Sequence, residues 1–394
     1  MKAIALIDGE HYAPVVRDAL ATLPYEVVGA LLVGGTEKLT GTSAGDDYGV
    51  PLVDGLDAVE ADVVVDLSDE PVLGPRERML WASRTLARGL PYVGADFRFD
   101  PPPLHPVEGS SLAVIGTGKR IGKTAVAGHV ARLLARERRV VVVAMGRGGP
   151  PEPELVETPP SVEDLVALAR SGRHAASDHL ETAALAGVPT VGCRRAGGGL
   201  AGAPFDSNVL EGAALAGGLQ PDLLVFDGSG AALPPVAADA RILVTNGRHD
   251  IHAGLNPYRV LVSDLVVDTG GADRAAIAGI ADVPVVGAEL RLRPSEPLEG
   301  RRTAVFTTGP APTEHLDAEV VHVSRNLARR DLLREELARL EADVYLVELK
   351  AAAIDVVAEA AVERGAAVVL AANDVVSDEL DERVRGLVAE ASLR

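Results

Sequence analysis

The stretch Leu-Ala-Val-Ile-Gly-Thr-Gly-Lys-Arg-Ile-Gly-Lys-Thr at residues 112–124 decides the fold of this chain. It has the pattern of a short apolar strand, a glycine-rich loop and the start of a helix that we predict over 125–136. A strand that runs into such a loop points several backbone N–H groups into one concavity at the helix N-terminus, where phosphate oxygens bind. This order of elements predicts a nucleotide phosphate site.

The residues of this loop have separate expected tasks. Lys123 reaches the outer phosphates of the nucleotide, and the Thr124 hydroxyl completes the ligand shell of a Mg²⁺ ion. The alternative is a tight turn without a ligand, and the position between a strand and a helix favours the phosphate site. The predicted cofactor-binding residues of the loop are Gly116, Thr117, Gly118, Lys119, Arg120, Ile121, Gly122, Lys123 and Thr124.

Composition and charge restrict the class of protein. With 394 residues, of which 47% are apolar and 3% aromatic, the chain is expected to form two or three domains with aliphatic cores. A net charge of −19 argues against nucleic-acid binding, and it requires an anionic substrate to be held by a local cluster of Arg and Lys. The single cysteine, Cys193, cannot form an intramolecular disulfide, which favours the cytoplasm. We expect neither a signal peptide nor a membrane span.

The N-terminal part alternates strands and helices. Apolar runs at 2–7, 27–33 and 62–66 are separated by helical segments, which predicts a parallel sheet in a Rossmann-like α/β domain. Ligands bind at the carboxyl ends of such strands. The candidates after the first strand are Asp8, Glu10 and His11, although helix-capping charges would explain them equally well.

Proline at 100–106 marks a stiff linker and the clearest domain boundary. We predict an N-terminal Rossmann-like α/β domain at 1–106 and a phosphate-loop ATP-binding domain with a parallel sheet at 107–298. A C-terminal αβ unit at 299–394 completes the chain.

Arginines follow two strands of the predicted ATP-binding domain. Arg147 stands in a glycine bend after the strand at 139–145, where many proteins of this nucleotide-binding class carry an Asp. Arg194 and Arg195 follow a strand at 188–191 and precede three glycines. Guanidinium groups hold phosphate or carboxylate with paired hydrogen bonds, so these residues predict an anion site, with exposed loop arginines as the alternative.

Other segments add weaker candidates. Asp227 ends a buried strand, where phosphate-loop proteins carry the carboxylate that organises magnesium. Asn246, Arg248 and His249 follow the next strand and are candidate contacts to the base or the substrate. Lys350 lies at a strand–helix turn as an anion contact or a solvated lysine. The proline-rich run 150–160 is typical of a surface loop, and the polar run 173–182 of a solvated helix start.

Several longer runs resemble the cyclic 2,3-diphosphoglycerate synthetase family over nearly the whole chain. The phosphate loop by itself is also similar to that of dethiobiotin synthetase. The runs that carry the family resemblance are 5–12, 67–71, 116–124, 144–154, 192–208, 227–235 and 348–355.

The resemblance implies that ATP drives closure of an intramolecular pyrophosphate in 2,3-bisphosphoglycerate, with release of ADP and phosphate. ATP and Mg²⁺ are the implied cofactors, with Thr124 and Asp227 at the metal. The catalytic residues would be Lys123, Arg147, Arg194, Arg195 and Asp227. The substrate-binding residues would be Asp8, Glu10, His11, Arg147, Arg194, Arg195, Arg248 and Lys350, with the first three forming the far wall of a cleft between domains. Lys119 and Arg120 could add to the grip on the bisphosphate.

Two other functions remain open at this point. One is another ATP-dependent ligase or kinase that acts on a small phosphorylated or carboxylic acid. The other is a nucleotide-switch ATPase, although such proteins carry a signature lysine five residues before the loop lysine, and Gly118 stands there in this chain. A homodimer is one possible assembly of the chain, and the sequence alone does not decide the oligomeric state.

Overall fold

The computed structural model describes residues 1–34, 48–172, 177–308, 311–349 and 353–391. The strands are β1 (Lys2–Ile7), β2 (Glu26–Leu32), β3 (Val63–Asp66), β4 (Tyr92–Val93), β5 (Arg98–Phe99), β6 (Ser111–Gly116), β7 (Val140–Gly146), β8 (Glu154–Val156), β9 (Thr190–Ala196), β10 (Asp206–Ser207), β11 (Leu223–Asp227), β12 (Ala240–Thr245), β13 (Leu265–Asp268), β14 (Val285–Gly287), β15 (Glu289–Pro294), β16 (Arg302–Phe306), β17 (Glu319–Ser324), β18 (Val344–Glu348) and β19 (Ala367–Val376). The helices are α1 (Ala13–Thr22), α2 (Pro75–Ala87), α3 (Lys123–Leu134), α4 (Val162–Arg170), α5 (Asp178–Ala186), α6 (Val209–Gly217), α7 (Asn256–Leu261), α8 (Arg274–Ala278), α9 (Arg330–Leu337), α10 (Ile354–Arg364) and α11 (Leu380–Ala391).

Backbone contacts divide the chain into two units. The first unit contains residues 1–103, 250–262 and 273–282, and the second contains 104–249, 263–272 and 283–394. The chain therefore leaves the second unit after His249, returns to it for β13, leaves it again for α8 and returns for β14. The predicted domain ranges do not contain these exchanges, so the boundaries at 106 and 298 stay a prediction.

The first unit is built on a sheet with the strand order β2-β1-β3-β4-β5. All neighbouring strands are parallel except β4 and β5. Proline stands in the first turn of both α1 and α2, where the missing N–H costs no hydrogen bond. Helix α7 packs against α2, which explains why 250–262 belongs to this unit.

The second unit contains a nine-stranded sheet with the order β10-β9-β7-β11-β6-β12-β13-β14, in which β8 also pairs with β9. Its strands are parallel except β8 and β10 at one edge. The central strands are continuously apolar because α-helices such as α3 cover them, as expected for a parallel sheet. The carboxyl ends of β6, β7, β11 and β12 therefore meet at one edge, where the candidate site lies.

The same unit contains a five-stranded sheet with the order β15-β19-β18-β16-β17, antiparallel only between β15 and β19. Helix α11 does not pack in this sheet's core. Its Leu380, Val384 and Val388 lie in the core of the nine-stranded sheet, and Asp381 pairs with His129 of α3 at 2.7 Å.

The predicted α/β class with a phosphate-loop parallel sheet is confirmed, and two local predictions are wrong. The run 150–160, predicted as a surface loop, contains β8, which pairs antiparallel with β9. Arg194 and Arg195, predicted to follow a strand ending at 191, lie inside β9. Pairing with β7 on one side and with β8 and β10 on the other carries the strand through to Ala196.

Within the described ranges, no helix is both long and apolar enough to cross a bilayer.

Candidate active site

The phosphate loop connects β6 to α3 as the sequence predicts. β6 ends at Gly116, and α3 begins at Lys123, two residues before the predicted start. Gly122 precedes the helix with a φ of 82°, a left-handed conformation that favours glycine. A Cβ on Gly116 would lie 2.6 Å from Cδ1 of Ile121, so the loop folds back closely on its own strand.

Three side chains hold the carbonyl groups of this loop. Nε2 of His249 donates to the carbonyl of Lys119 at 3.2 Å, and Nδ2 of Asn246 donates to that of Arg120 at 3.1 Å. The Thr269 hydroxyl donates to the Ile121 carbonyl at 2.7 Å.

In a trans peptide the C=O and N–H point in opposite directions. Each hydrogen-bonded carbonyl therefore fixes the N–H of the following residue on the opposite side of the peptide plane. There the N–H can donate to a phosphate oxygen. Asn246 and His249 were predicted as contacts to base or substrate, and the structure places both on the loop backbone; the cofactor-binding role of Asn246 stays a prediction. Thr269 was not predicted, because no motif surrounds it.

Lys123 and Asp227 form a buried ion pair. Asp227 ends β11, which pairs with β6, so the sheet brings the acid to the loop lysine. Burial raises the pKa of Asp227 to about 6, with the charge of Asp178 adding to the shift and Lys123 opposing it.

One carboxylate oxygen of Asp227 is available to bind a cation. Its Oδ2 is buried and has no hydrogen-bond partner among the described residues. An unpaired carboxylate oxygen, together with the hydroxyl of Thr124 in the first turn of α3, is a donor set that suits Mg²⁺. The predicted metal residues Thr124 and Asp227 therefore fit a divalent cation.

Three cationic side chains surround Gly230. From the point where a Cβ on Gly230 would lie, Nη2 of Arg147 is 2.9 Å away, Nη2 of Arg195 3.8 Å and Cγ of Lys119 3.7 Å. A side chain at 230 would therefore displace the guanidinium group of Arg147, and glycine leaves it in place. The three residues come from the phosphate loop, the end of β7 and β9, so the sheet edge concentrates positive charge in a chain with a net charge of −19.

Arg195 is only partly satisfied by the protein. Its Nη2 donates to the carbonyl of Ser229 at 2.9 Å and its Nη1 to that of Gly197, while its Nε is buried without a partner in the described part of the chain. Burial and the neighbouring charge of Arg147 lower the pKa of Arg195, and Asp178 opposes them. An anionic ligand would relieve both the repulsion and the unpaired donor.

Other predicted cations are not part of this group. Neighbouring residues of a strand point to opposite faces, so Arg194 faces away from Arg195, and its side chain is exposed. Arg120 and Arg248 are exposed as well. Lys350 lies outside the described residues. The binding roles of these four residues stay predictions.

Asp8, Glu10 and His11 belong to the first unit. Oδ1 of Asp8 accepts hydrogen bonds from the backbone N–H of Glu10 at 2.9 Å and from Nδ1 of His11 at 3.0 Å. Oδ2 accepts from the backbone N–H of Asp69 at 3.0 Å, and the Asp69 carboxylate lies 3.3 Å from Nε2 of His11. This geometry makes Asp8 the organiser of the turn after β1, and the substrate-binding role of the three residues stays a prediction.

Asp178 lies at the same sheet edge, and the sequence analysis does not predict it there. Its Oδ2 lies 3.5 Å from the point where a Cβ on Gly146 would be, at the carboxyl end of β7. The sequence predicts a solvated helix start at 173–182. Residues 173–176 lie outside the described residues, and in the described part His179 of α5 is buried. Nothing in the spacing of the run shows that its helix begins beside the phosphate site.

Comparison with known proteins gives three family models that together match most of the chain. They describe the N-terminal, P-loop and C-terminal domains of cyclic 2,3-diphosphoglycerate synthetase and match residues 2–100, 111–279 and 294–374. The chain belongs to this family. The predicted family and its phosphate-loop domain are confirmed, and with them the prediction that the chain is a nucleotide-binding enzyme.

Curated relatives named cyclic 2,3-diphosphoglycerate synthetase align over almost their full length. The protein of Rubrobacter xylanophilus is 48% identical, with 97% of this chain and 96% of the relative covered. That of Thermococcus kodakarensis is 43% identical, with 95% and 94% covered. That of Methanothermus fervidus is 38% identical, with 96% and 94% covered. Among solved structures, LpxK from Aquifex aeolicus in complex with ATP covers 73% of this chain and 90% of its own, with 16% identity and a TM-score of 0.46.

Proposed function

We propose that this chain forms the intramolecular pyrophosphate of cyclic 2,3-diphosphoglycerate from 2,3-bisphosphoglycerate, using ATP and releasing ADP and phosphate. The observation that carries the proposal is the group of Arg147, Arg195 and Lys119 around Gly230, in the same unit and at the same sheet edge as the loop lysine. Membership of the synthetase family supports this substrate, and a substrate with two phosphates suits two neighbouring guanidinium groups beside a lysine side chain.

Two phosphoryl-transfer steps account for the reaction. In the first, an oxygen of one substrate phosphate attacks the γ-phosphorus of ATP, and the bond to ADP breaks. In the second, an oxygen of the other substrate phosphate attacks the phosphorus of the activated one, the ring P–O–P bond forms, and inorganic phosphate leaves. Phosphate is ionised at neutral pH, so neither step requires a protein base.

The chain's own residues contribute charge and position. Lys123 and the loop N–H groups would hold the β- and γ-phosphates, and Arg147, Arg195 and Lys119 would hold the substrate phosphates against their mutual repulsion. Mg²⁺, when bound, supplies further neutralisation of the phosphate charge, and Thr124 and Asp227 would hold it. The pairing of Lys123 with Asp227 keeps the lysine in the site before nucleotide arrives.

Phosphorus NMR tests the reaction directly. The protein is incubated with ATP, Mg²⁺ and 2,3-bisphosphoglycerate, and parallel samples contain 2- or 3-phosphoglycerate. We expect a pair of upfield pyrophosphate signals only with the bisphosphate, and their rate of appearance to fall by about 10²–10³ in Lys123→Ala. Lys2→Ala, which removes an exposed lysine of the first unit, is the matched control. ATP consumption without these signals would refute the proposed substrate, and product from a monophosphate would favour the other ligase or kinase function.

The arginines are tested separately. Loss of a charge-assisted contact costs about 1.5–3 kcal/mol, so Arg147→Ala and Arg195→Ala should each raise the KM for 2,3-bisphosphoglycerate by roughly 10–100-fold. Arg339→Ala removes an exposed arginine of the C-terminal sheet region and should leave the KM unchanged. The KM of Arg194→Ala tests the prediction that Arg194 also binds the substrate. Unchanged KM values in Arg147→Ala and Arg195→Ala would show that the substrate lies elsewhere.

The cytoplasmic location and the homodimer expected from the sequence remain predictions. Light scattering of the purified chain at several concentrations measures its mass in solution and tests the dimer.

A further inference from the structure

The carboxylate of Asp178 occupies a place that the sequence leaves without an acid. Many proteins of this nucleotide-binding class carry an Asp at the end of the strand after the loop helix, whereas β7 ends in Gly146 and is followed by Arg147. Asp178 opens α5, and its Oδ2 lies 3.5 Å from the position of a Cβ on Gly146. The acid therefore reaches the strand end from a different element.

This position is next to the strand that carries Asp227. Strand β7 pairs with β11, and Ala144 of β7 stands opposite Asp227 in that pairing. Gly146 lies two residues further along β7, toward the edge where the phosphate loop ends. The carboxylate of Asp178 therefore lies at the end of β7, and that of Asp227 lies at the end of the neighbouring strand β11.

Helix stabilisation does not account for this arrangement. An acid in the first turn of a helix is favourable, but the same charge beside the buried Asp227 is unfavourable. The Oδ2 of Asp227 is also buried and unpartnered among the described residues, which leaves a ligand atom available at the end of β11. A divalent cation would compensate both negative charges.

We infer that Asp178 is the second acidic residue of the metal–nucleotide site, and that it acts with Asp227 and the Thr124 hydroxyl to hold the cation of the ATP complex. The inference rests on the use of a metal–nucleotide complex in the proposed function, and it does not depend on the identity of the acceptor substrate.

Manganese binding tests this role without turnover. Mn²⁺ replaces Mg²⁺ as a paramagnetic probe, and its dissociation constant is measured by electron paramagnetic resonance with saturating ADP. We expect Asp178→Asn to weaken Mn²⁺ binding by about tenfold or more. ADP affinity without metal should stay equal or increase, because a negative charge near the phosphates is removed. Glu163→Gln makes the same charge change in the first turn of α4 and should leave both constants unchanged.

A second variant separates metal binding from a folding defect. Asp178→Glu keeps the charge on a longer side chain and should retain Mn²⁺ binding within about threefold of wild type, whereas Asp178→Asn should not. Equal Mn²⁺ affinity in wild type and Asp178→Asn would overturn the inference. Failure of the proposed reaction is seen separately, as absence of the cyclic product in the wild-type NMR experiment while Mn²⁺ still binds.

Discussion

Asp8 connects the backbone of two loops through one buried side chain. Burial by itself raises the pKa of such a carboxyl group, but the hydrogen bond from His11 and those from the backbone of Asp69 and Glu10 outweigh it, so that the pKa of Asp8 lies below its ordinary value. The ionised form is therefore preferred more strongly in the folded protein than in the unfolded chain.

This preference predicts an acid-sensitive contribution to stability. A group with a lowered folded-state pKa stabilises the fold fully above its ordinary pKa, and the contribution is lost as the pH falls through the lower folded value. Below about pH 4, we expect the unfolding free energy of wild type to fall more steeply than that of Asp8→Asn. Urea unfolding followed by circular dichroism at each pH measures the difference. Asp18→Asn, an exposed acid of α1, is the control, and parallel curves for wild type and Asp8→Asn would contradict the prediction.

At the scale of single elements, helix α6 packs on β9 through a glycine. A Cβ on Gly212 would lie 2.1 Å from the Sγ of Cys193, so the helix approaches the strand to a distance that a larger residue prevents. Cys193 is fully buried, and burial raises the pKa of its thiol to about 12. The thiol therefore acts as a small apolar group in this contact and not as a nucleophile.

The contact predicts a pair of compensating substitutions. Gly212→Ala should lower the unfolding free energy by about 1–3 kcal/mol through overpacking, and Cys193→Ala in the same chain should restore most of that loss. Gly217→Ala is the control at the end of the same helix, where nothing lies within 4 Å, and helix propensity should make it neutral or stabilising. Denaturant midpoints measure all four proteins. A double variant no more stable than Gly212→Ala would rule out this packing.

The side-chain hydrogen bonds to the phosphate-loop carbonyls predict that removing one of them weakens nucleotide binding. Thr269→Val keeps the side-chain shape but removes the hydrogen bond to the Ile121 carbonyl, which should cost about 1 kcal/mol, or roughly a fivefold weaker ADP complex. Thr303→Val removes a similar hydrogen bond to the Arg301 carbonyl in the C-terminal sheet and should not change the affinity. Isothermal titration calorimetry with ADP compares them, and equal dissociation constants would show that the loop holds its shape without the threonine.

The elements differ in how far the sequence alone predicts them. Lys123, Thr124 and Asp227 are predictable because local pattern places each of them: a loop before a helix or the end of an apolar run. The positions of Asp178 and Thr269 near the loop and the end of β7 are not predictable, because they depend on which elements meet after folding. The sequence predicts an anion site from both Arg194 and Arg195, and it does not predict that Arg195 lies near Gly230 while Arg194 is exposed. Pairing with β10 at Arg195 and Ala196 continues β9 past Cys193, and a strand turns neighbouring side chains to opposite faces. No local pattern reports that pairing.

At the scale of the whole chain, the C-terminal region is interleaved with the phosphate-loop region. The chain enters the five-stranded sheet with β15, completes it with β19, and then returns through α11 to the core that covers the nine-stranded sheet. Composition and strand–helix alternation predict the α/β class of every part. They do not predict that α11 packs on the nine-stranded sheet, because that depends on the tertiary contacts of Leu380, Val384 and Val388.

The packing of α11 predicts that Leu380, which is far from the phosphate loop in the sequence, stabilises the nucleotide-binding region. Leu380→Ala should lower the unfolding free energy by about 2–5 kcal/mol, since a fully buried side chain is replaced by a cavity. Val362→Ala, in which the side chain is 79% exposed, should change it by no more than about 0.5 kcal/mol. Urea unfolding with and without ADP measures both variants. Similar midpoints for the two would show that α11 adds little to that core.

The exchange of segments between the two units also changes what a cut in the chain would do. The proline-rich segment at 100–106 contains the point where the chain passes from the first unit to the second, and ordinary two-domain proteins are separated by a protease at such a connection. Here the piece before the cut would stay associated, because α2 packs against α7, and α7 lies on the far side of the cut in the sequence. A nicked molecule would thus migrate as one species until it is denatured. For the same reason, residues 1–103 expressed alone would lack helix α7, which packs against α2. A peptide containing 250–262 would be needed to complete the unit.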